Sequence, residues 1–128
     1  MIEPTIKERL SKRFIFMTAN SELIDQAQRI SEEKGWTLVV STDLESIGEW
    51  SDVLLHRMLF LDLDEIDRYD PLDVIRQIRM EYQINIPVIC FGGDQEIQNE
   101  MRVSRADRFF SPGQLSEVIP MFLDQYNW

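Results

Sequence analysis

A run of apolar residues leads directly into a group of carboxylates in the middle of the chain. The stretch "MLFLDLDE" covers 58–65, and the acidic residues in and just after it are Asp62, Asp64, Glu65 and Asp67. Such an apolar run is typical of a buried strand, which would hold a carboxylate at its end on the edge of a sheet. An aspartate in that place can act as a nucleophile or accept a phosphoryl group.

The same oxygens could instead hold a divalent cation, with Asp62 and Asp64 as the candidate ligands, because carboxylates suit Mg²⁺ and Ca²⁺. The spacing does not match a calcium-binding loop, since no glycine lies at its centre and no glutamate closes it. We favour a solvated acidic loop with one aspartate at the sheet edge over a metal site.

The letters "FLDLDE" also resemble the first motif of haloacid-dehalogenase-type phosphatases. In that family the first aspartate is the nucleophile and the second is a general acid or base, which would give these roles to Asp62 and Asp64. Such enzymes also need a later lysine, and this chain has only Lys7, Lys12 and Lys34. The motif also lies mid-chain instead of on the first strand. We therefore expect no phosphatase and no other enzyme activity.

The elements that would position these carboxylates alternate along the chain. Strand-like stretches are predicted at 13–19, 36–41, 57–62, 85–91 and 107–110. Helix-like stretches follow them at 20–35, 43–56, 70–83, 94–105 and 114–128. Alternation of this kind predicts an α/β fold, in which a parallel sheet has helices on both faces. Sites in such folds lie at the carboxyl ends of the strands.

Five strand–helix units with an aspartate ending the third strand resemble the receiver domain of bacterial response regulators, from Arg13 onwards. "MLFLDLDEIDRYDPLDVIRQIR" is similar to the family's third strand, loop and third helix, which puts Asp62 at the phospho-acceptor position. "IPVICFGG" is similar to the fourth strand, and "SRADRFFSP" to the fifth strand and its turn. The resemblance implies a flavodoxin-like, or CheY-like, three-layer α/β/α sandwich with a five-stranded parallel sheet in the order 2-1-3-4-5.

The pocket positions that surround the acceptor depart from the family's pattern. The resemblance implies two acidic residues at the end of strand 1, which help to hold Mg²⁺, but the matching residues are Thr18 and Ala19. It implies a serine or threonine after strand 4, where this chain has Gly92. It implies a lysine after strand 5, where this chain has Ser111 or Pro112, and no lysine occurs in the second half of the chain.

Phosphoryl transfer depends mostly on positioning and on neutralising charge. Without a fixed cation, Asp62 should be a poor acceptor, and we interpret the chain as a degenerate, or pseudo-, receiver that signals without a Mg²⁺-dependent aspartyl phosphate. It would then need no cofactor. The alternative is an active receiver of a two-component phosphorelay, phosphorylated on Asp62 with Mg²⁺ held by Asp64 or Asp67.

The last predicted helix is more apolar than one buried stripe requires. In receivers, the face formed by helix 4, strand 5 and helix 5 is a common dimer and partner surface, so the resemblance implies an interaction role here. The predicted surface consists of Phe109, Phe110, Met121, Phe122 and Tyr126. We expect a protein partner or a homodimer, and the chain could be the N-terminal regulatory domain of a larger protein.

Composition and charge limit the location and the partners. The 128 residues predict one domain, with an N-terminal arm at 1–12 and a receiver-like domain at 13–128. The net charge of −10 repels phosphate backbones, so we expect no direct binding to nucleic acid. There is no membrane-length apolar stretch and no signal-peptide pattern, and the single cysteine, Cys90, cannot form an internal disulfide. These features predict a cytoplasmic protein.

Overall fold

The computed structural model describes residues 10–65 and 67–128, so most of the predicted arm at 1–12 lies outside the described residues. The five strands are β1 (Arg13–Met17), β2 (Thr37–Ser41), β3 (Leu59–Asp62), β4 (Val88–Phe91) and β5 (Arg108–Phe110). The five helices are α1 (Ser21–Lys34), α2 (Trp50–Leu54), α3 (Pro71–Arg76), α4 (Gln95–Val103) and α5 (Leu115–Gln125). A π-helical turn, Gln77–Glu81, extends α3. Within the described ranges, no helix has the length and apolar character needed to cross a membrane.

The five strands form one sheet in the order β2-β1-β3-β4-β5, and every pair is parallel. This confirms the predicted α/β/α class and strand order. The central strand is β3, all four of whose residues are buried. Because the strands are parallel, their carboxyl ends meet at one edge, which holds the acidic loop that follows Asp62.

Side chains alternate between the two faces of the sheet and build two separate cores. On one face, residues such as Phe16 and Phe60 pack with α1 and α5 through Ala27, Ile119 and Phe122. On the other face, strand residues such as Leu59 and Leu61 pack with α2, α3 and α4 through Val53, Ile75 and Met101. The helices therefore cover both faces, which explains why every residue of β3 and β4 is buried and all of them except Asp62 are apolar.

Local signals in the sequence explain where the helices begin and end. The Asn20 side chain accepts hydrogen bonds from two backbone N–H groups of α1, and Gly35 ends that helix at φ 74°. The stretch at 43–56, predicted as a weak helix broken at Gly48, is a 3₁₀ turn at Leu44–Ser46 followed by the short α2, with Gly48 at φ 135° between them. Pro120 lies inside α5 and does not delay its start, because the helix already begins at Leu115.

Candidate functional site

Strand register brings the predicted pocket positions to one edge of the sheet. Met17 of β1 pairs with Leu61 of β3, so Thr18 is level with Asp62. Asp62 is in turn level with Phe91 of β4, whose partner on β5 is Phe110. The residues that follow these two are Gly92 and Ser111. The four pocket positions predicted from the sequence, Thr18, Ala19, Gly92 and Ser111, therefore lie at the same edge of the sheet as Asp62.

The Asp62 carboxylate is buried and is held on both oxygens by neutral donors. Its side chain and backbone together are only 4% exposed. The Thr18 hydroxyl donates to Oδ2 at 2.8 Å, and the backbone N–H of Asp64 donates to Oδ1 at 2.9 Å. Thr18 itself accepts a hydrogen bond from the backbone N–H of Asn20 at 3.0 Å. These bonds fix the orientation of the carboxylate, but none of them brings a positive charge.

Asp64 occupies the place that a side chain at position 92 would take. A Cβ atom added to Gly92 would clash with Asp64 Oδ2 and lie 2.8 Å from its Cγ. Asp64 Oδ1 accepts a hydrogen bond from the backbone N–H of Gly93 at 2.9 Å, which holds it there. Gly92 has φ 78°, a conformation that favours glycine. A carboxylate therefore stands where the resemblance implies a hydroxyl.

Two further side chains, those of Glu65 and Tyr69, form hydrogen bonds with the backbone near Asp62. The Glu65 carboxylate accepts a hydrogen bond from the backbone N–H of Ala19 at 3.2 Å. The Tyr69 hydroxyl lies 2.8 Å from the Met17 carbonyl and 2.7 Å from the Asp62 carbonyl, so it bridges β1 and β3. Burial raises the pKa of Tyr69, and the carboxylates of Asp62 and Glu65 raise it further, which keeps the phenol neutral. Nothing in the sequence pointed to Tyr69.

The Ser111 position carries no charge to balance these carboxylates. Ser111 is exposed, and its backbone N–H and hydroxyl both point to Gln114 Oε1, at 2.9 Å and 3.2 Å. Among residues 10–65 and 67–128, no group of three or more His, Cys, Asp or Glu side chains has an arrangement that could hold a metal ion. The two candidate metal ligands accept hydrogen bonds from different backbone N–H groups: Asp62 from that of Asp64, and Asp64 from that of Gly93.

The raised pKa of Asp62 makes stability depend on pH in a defined direction. Burial is the largest cause, the carboxylates of Asp64 and Glu65 add to it, and the hydrogen bonds from Thr18 and Asp64 oppose it. A pKa that is higher in the folded state favours folding most below the unfolded value of 3.8. This contribution is lost as the pH rises through the folded pKa.

We expect Asp62→Asn to lack this dependence. Relative to Asp62→Asn, the free energy of unfolding of the wild type should fall as the pH rises from 3.8, by about 1.4 kcal/mol for each pH unit between the unfolded and folded pKa values. Urea titrations of both proteins across this range would measure the difference. Asp67→Asn, on the exposed part of the same loop, is the control and should follow the wild type. Parallel curves for the wild type and Asp62→Asn would contradict the raised pKa.

The structure separates the residues of the predicted interaction surface. Phe122 is 2% exposed and belongs to the core that α1 and α5 cover. Phe109 and Phe110 pack on opposite faces of the sheet, Phe109 in the other core and Phe110 beside Phe122. Met121 is 44% exposed and Tyr126 is half-buried. Of the five residues, Met121 is therefore the exposed one, and Phe110 and Tyr126 on the same side of the sheet are partly buried.

Comparison with solved structures identifies the fold. The signal receiver domain of a response regulator from Bermanella marisrubri matches with a TM-score of 0.73 at 16% identity, covering 91% of this chain and 98% of that one. A CheY-like receiver domain protein from Methanospirillum hungatei JF-1 matches with a TM-score of 0.68 at 16% identity, covering 91% and 96%. The receiver domain of a DNA binding response regulator from Colwellia psychrerythraea 34H matches with a TM-score of 0.69 at 14% identity, covering 90% and 100%.

A scan against protein-family models and a search of curated proteins found no match. The structural matches are all below 25% identity, yet each spans about nine tenths of the chain. The strand order and the helices on both faces are those of this fold. The chain therefore has the fold of response regulator receiver domains.

Proposed function

We propose that this chain is a receiver-like signalling module that acts through contact with a protein partner or through dimerisation, without Mg²⁺-dependent phosphorylation of Asp62. The fold supports the signalling role, because the solved structures that share it are response regulator receiver domains. The geometry around Asp62 supports independence from phosphate. The proposal includes no catalytic role for any residue.

The observation that carries this proposal is the charge around Asp62. A phosphoryl group brings negative charge, which a receiver would have to neutralise with a metal ion and an ammonium group. Here the groups closest to Asp62 are the Thr18 hydroxyl, a backbone N–H, and the carboxylates of Asp64 and Glu65. The Asp64 carboxylate also fills the space over Gly92. Among residues 10–65 and 67–128, the charged groups that act on Asp62 are the Asp64 and Glu65 carboxylates, so an incoming phosphoryl group would meet two like charges and no cation from these residues.

Phosphorylation can be tested directly. We expect no mass gain when the wild type is incubated with acetyl phosphate and Mg²⁺, and no spectral change when beryllofluoride is added, as followed by intact-mass spectrometry and by NMR. A stoichiometric gain of one phosphoryl group that disappears in Asp62→Asn would refute the proposal and favour the active receiver. We also expect no Mg²⁺-dependent turnover of an aryl phosphate, which a phosphatase built on Asp62 and Asp64 would show.

In this proposal, the interaction uses the exposed Met121 and the partly buried Phe110 and Tyr126. We expect light scattering across a concentration series to show self-association that Met121→Asp weakens, because a carboxylate would have to be buried at the contact. Leu54→Asp is the matched control, since Leu54 is 48% exposed and lies on α2, whereas Met121 is 44% exposed on α5. A wild type that stays monomeric at high concentration would exclude dimerisation through this surface and leave a different protein as the partner.

A further inference from the structure

A groove with an apolar floor lies between the loops that follow β3 and β4. Its volume is about 570 Å³. The floor is made of apolar and aromatic side chains, and the rim carries three carboxylates. The floor residues are Leu63, Tyr69, Pro71 and Ile97, and the rim residues are Asp64, Asp70 and Asp94. An apolar groove with an acidic rim is a surface on which an apolar side chain flanked by cations would be complementary in both shape and charge.

In each rim carboxylate, one oxygen accepts a hydrogen bond from a backbone N–H, and the other oxygen can accept one from a ligand. Asp64 Oδ1 accepts from the Gly93 N–H at 2.9 Å, Asp70 Oδ1 from the Leu72 N–H at 3.0 Å, and Asp94 Oδ1 from the Ile97 N–H at 2.9 Å. Within residues 10–65 and 67–128, none of the three Oδ2 atoms accepts a hydrogen bond. Because the carboxylates are already oriented, a cationic partner would order little of the groove on binding.

The groove lies in the most acidic part of the molecule. Segment 63–73 contains five acidic residues, segment 42–52 contains four, and the only cation in either segment is Arg68. Both segments follow the carboxyl ends of strands, so their charges face the same end of the sheet. The resulting field would attract a positively charged segment and speed its encounter with the groove.

Helix capping accounts for only part of this arrangement. Asp70 and Asp94 are the N-cap residues of α3 and α4, which explains their Oδ1 bonds. Capping explains neither Asp64, which caps no helix, nor the apolar floor between the two caps. We propose that this groove binds a basic polypeptide segment that inserts an apolar side chain between its arginine or lysine residues. This inference does not depend on the proposed function, because neither Asp62 nor the β5 and α5 surface takes part.

The test uses a fluorescein-labelled peptide of alternating arginine and leucine and the full 128-residue chain. We expect saturable binding by fluorescence polarisation that weakens as salt is raised. In ¹H–¹⁵N NMR spectra, the largest shifts should fall on Leu63, Gly93 and Ile97. A second peptide with serine in place of each leucine carries the same charge and should bind at least tenfold more weakly, because it cannot fill the apolar floor.

Two variants remove rim charge while keeping the helix caps. In Asp70→Ser and Asp94→Ser, the new hydroxyl can still accept the capping hydrogen bond. Each should weaken binding of the arginine–leucine peptide about two- to fivefold, the range expected for one exposed ion pair. Glu33→Gln, an exposed carboxylate on α1, removes the same charge elsewhere and should leave the affinity unchanged.

Three results would overturn the inference. Equal binding of the serine peptide would mean that the acidic face attracts cations without using the groove. NMR shifts centred on another part of the chain would place the peptide elsewhere. If Mg²⁺ alone, at millimolar concentration, reproduced the shifts at Gly93 and Ile97 and displaced the peptide, the occupant would be a metal ion and not a polypeptide.

Discussion

Replacing Arg79 with methionine should lower the free energy of unfolding by about 3–5 kcal/mol, because three backbone carbonyls lose their donor and each unsatisfied buried acceptor costs about 1–3 kcal/mol. Only 4% of the Arg79 side chain is exposed. All three nitrogens of the guanidinium donate hydrogen bonds. Nε donates to the Arg105 carbonyl at 3.2 Å, and Nη2 donates to Asp107 Oδ2 at 2.9 Å. Nη1 donates to the carbonyls of Ile84 and Ile86, at 3.0 Å each. Methionine would remove this donor from the three carbonyls, whereas Asp107 would keep the hydrogen bond from the Val88 N–H.

This arginine joins three elements that the sheet alone does not connect. It lies on the π-helical turn after α3, and it reaches the segment before β4 and the turn between α4 and β5. Asp107, which is about half exposed, also accepts the Val88 N–H at 2.7 Å, so the pair fixes the start of β4. Arg105 returns a hydrogen bond from Nη2 to the Arg79 carbonyl at 3.2 Å. Losing Arg79 should therefore destabilise the π-helical turn, the segment before β4 and the turn before β5 together.

Urea denaturation of matched variants would measure the effect. Arg76→Met changes an exposed arginine on the same helix and should alter the free energy of unfolding by less than about 0.5 kcal/mol. Arg79→Lys should lose much of the same stability as Arg79→Met, because an ammonium group has no planar fork to reach acceptors on three elements. If Arg79→Met unfolded within 1 kcal/mol of the wild type, the network would be incidental to stability.

The sheet could be predicted from the sequence because its signals are local. Buried parallel strands show up as apolar runs. Capping residues such as Asn20 and Gly35 mark the two ends of the helix that lies between the first two strands. The fourth strand was predicted at 85–91, but β4 begins at Val88. Just before it, the Pro87 carbonyl still accepts from Leu59 of β3, but the Ile86 carbonyl accepts from Arg79. An arginine that bonds main-chain carbonyls leaves no pattern in the sequence, because every residue has a carbonyl.

For the site around Asp62, the sequence predicted only which residues of the family's pattern are missing. Strand ends and the resemblance identified which pocket residues do not match, but not that Asp64 folds over Gly92 or that Tyr69 bridges β1 and β3. Those contacts depend on the path of the loop, which has no periodic signal. The same limit applies to Phe122, which was predicted on the surface, since an excess of apolar residues on a helix does not show which of them face the sheet.

If Asp62 is not phosphorylated because no positive charge lies near it, then supplying positive charge should make it a phosphoryl acceptor. We expect the triple variant Ala19→Asp/Asp64→Asn/Ser111→Lys to gain one phosphoryl group from acetyl phosphate, whereas the wild type stays unmodified. Ala19→Asp adds a Mg²⁺ ligand beside β3, and Asp64→Asn removes the negative charge over Gly92. Register places Ser111 two strands from Asp62, roughly 10 Å away at the usual strand spacing, which a lysine side chain can largely span.

Intact-mass spectrometry would measure the gain, and two controls would assign it. The gain should disappear when Mg²⁺ is removed with EDTA, because the new aspartate acts through the metal. It should also disappear when Asp62→Asn is added to the triple variant, because Asp62 is the expected acceptor. A gain that persisted would mean that another carboxylate had been modified. A triple variant that keeps its circular dichroism spectrum but remains unmodified would show that charge alone does not silence the site. The space that residue 64 fills over Gly92 would then be the stronger barrier, and only a variant that shortens this side chain, such as Asp64→Ala, should open it.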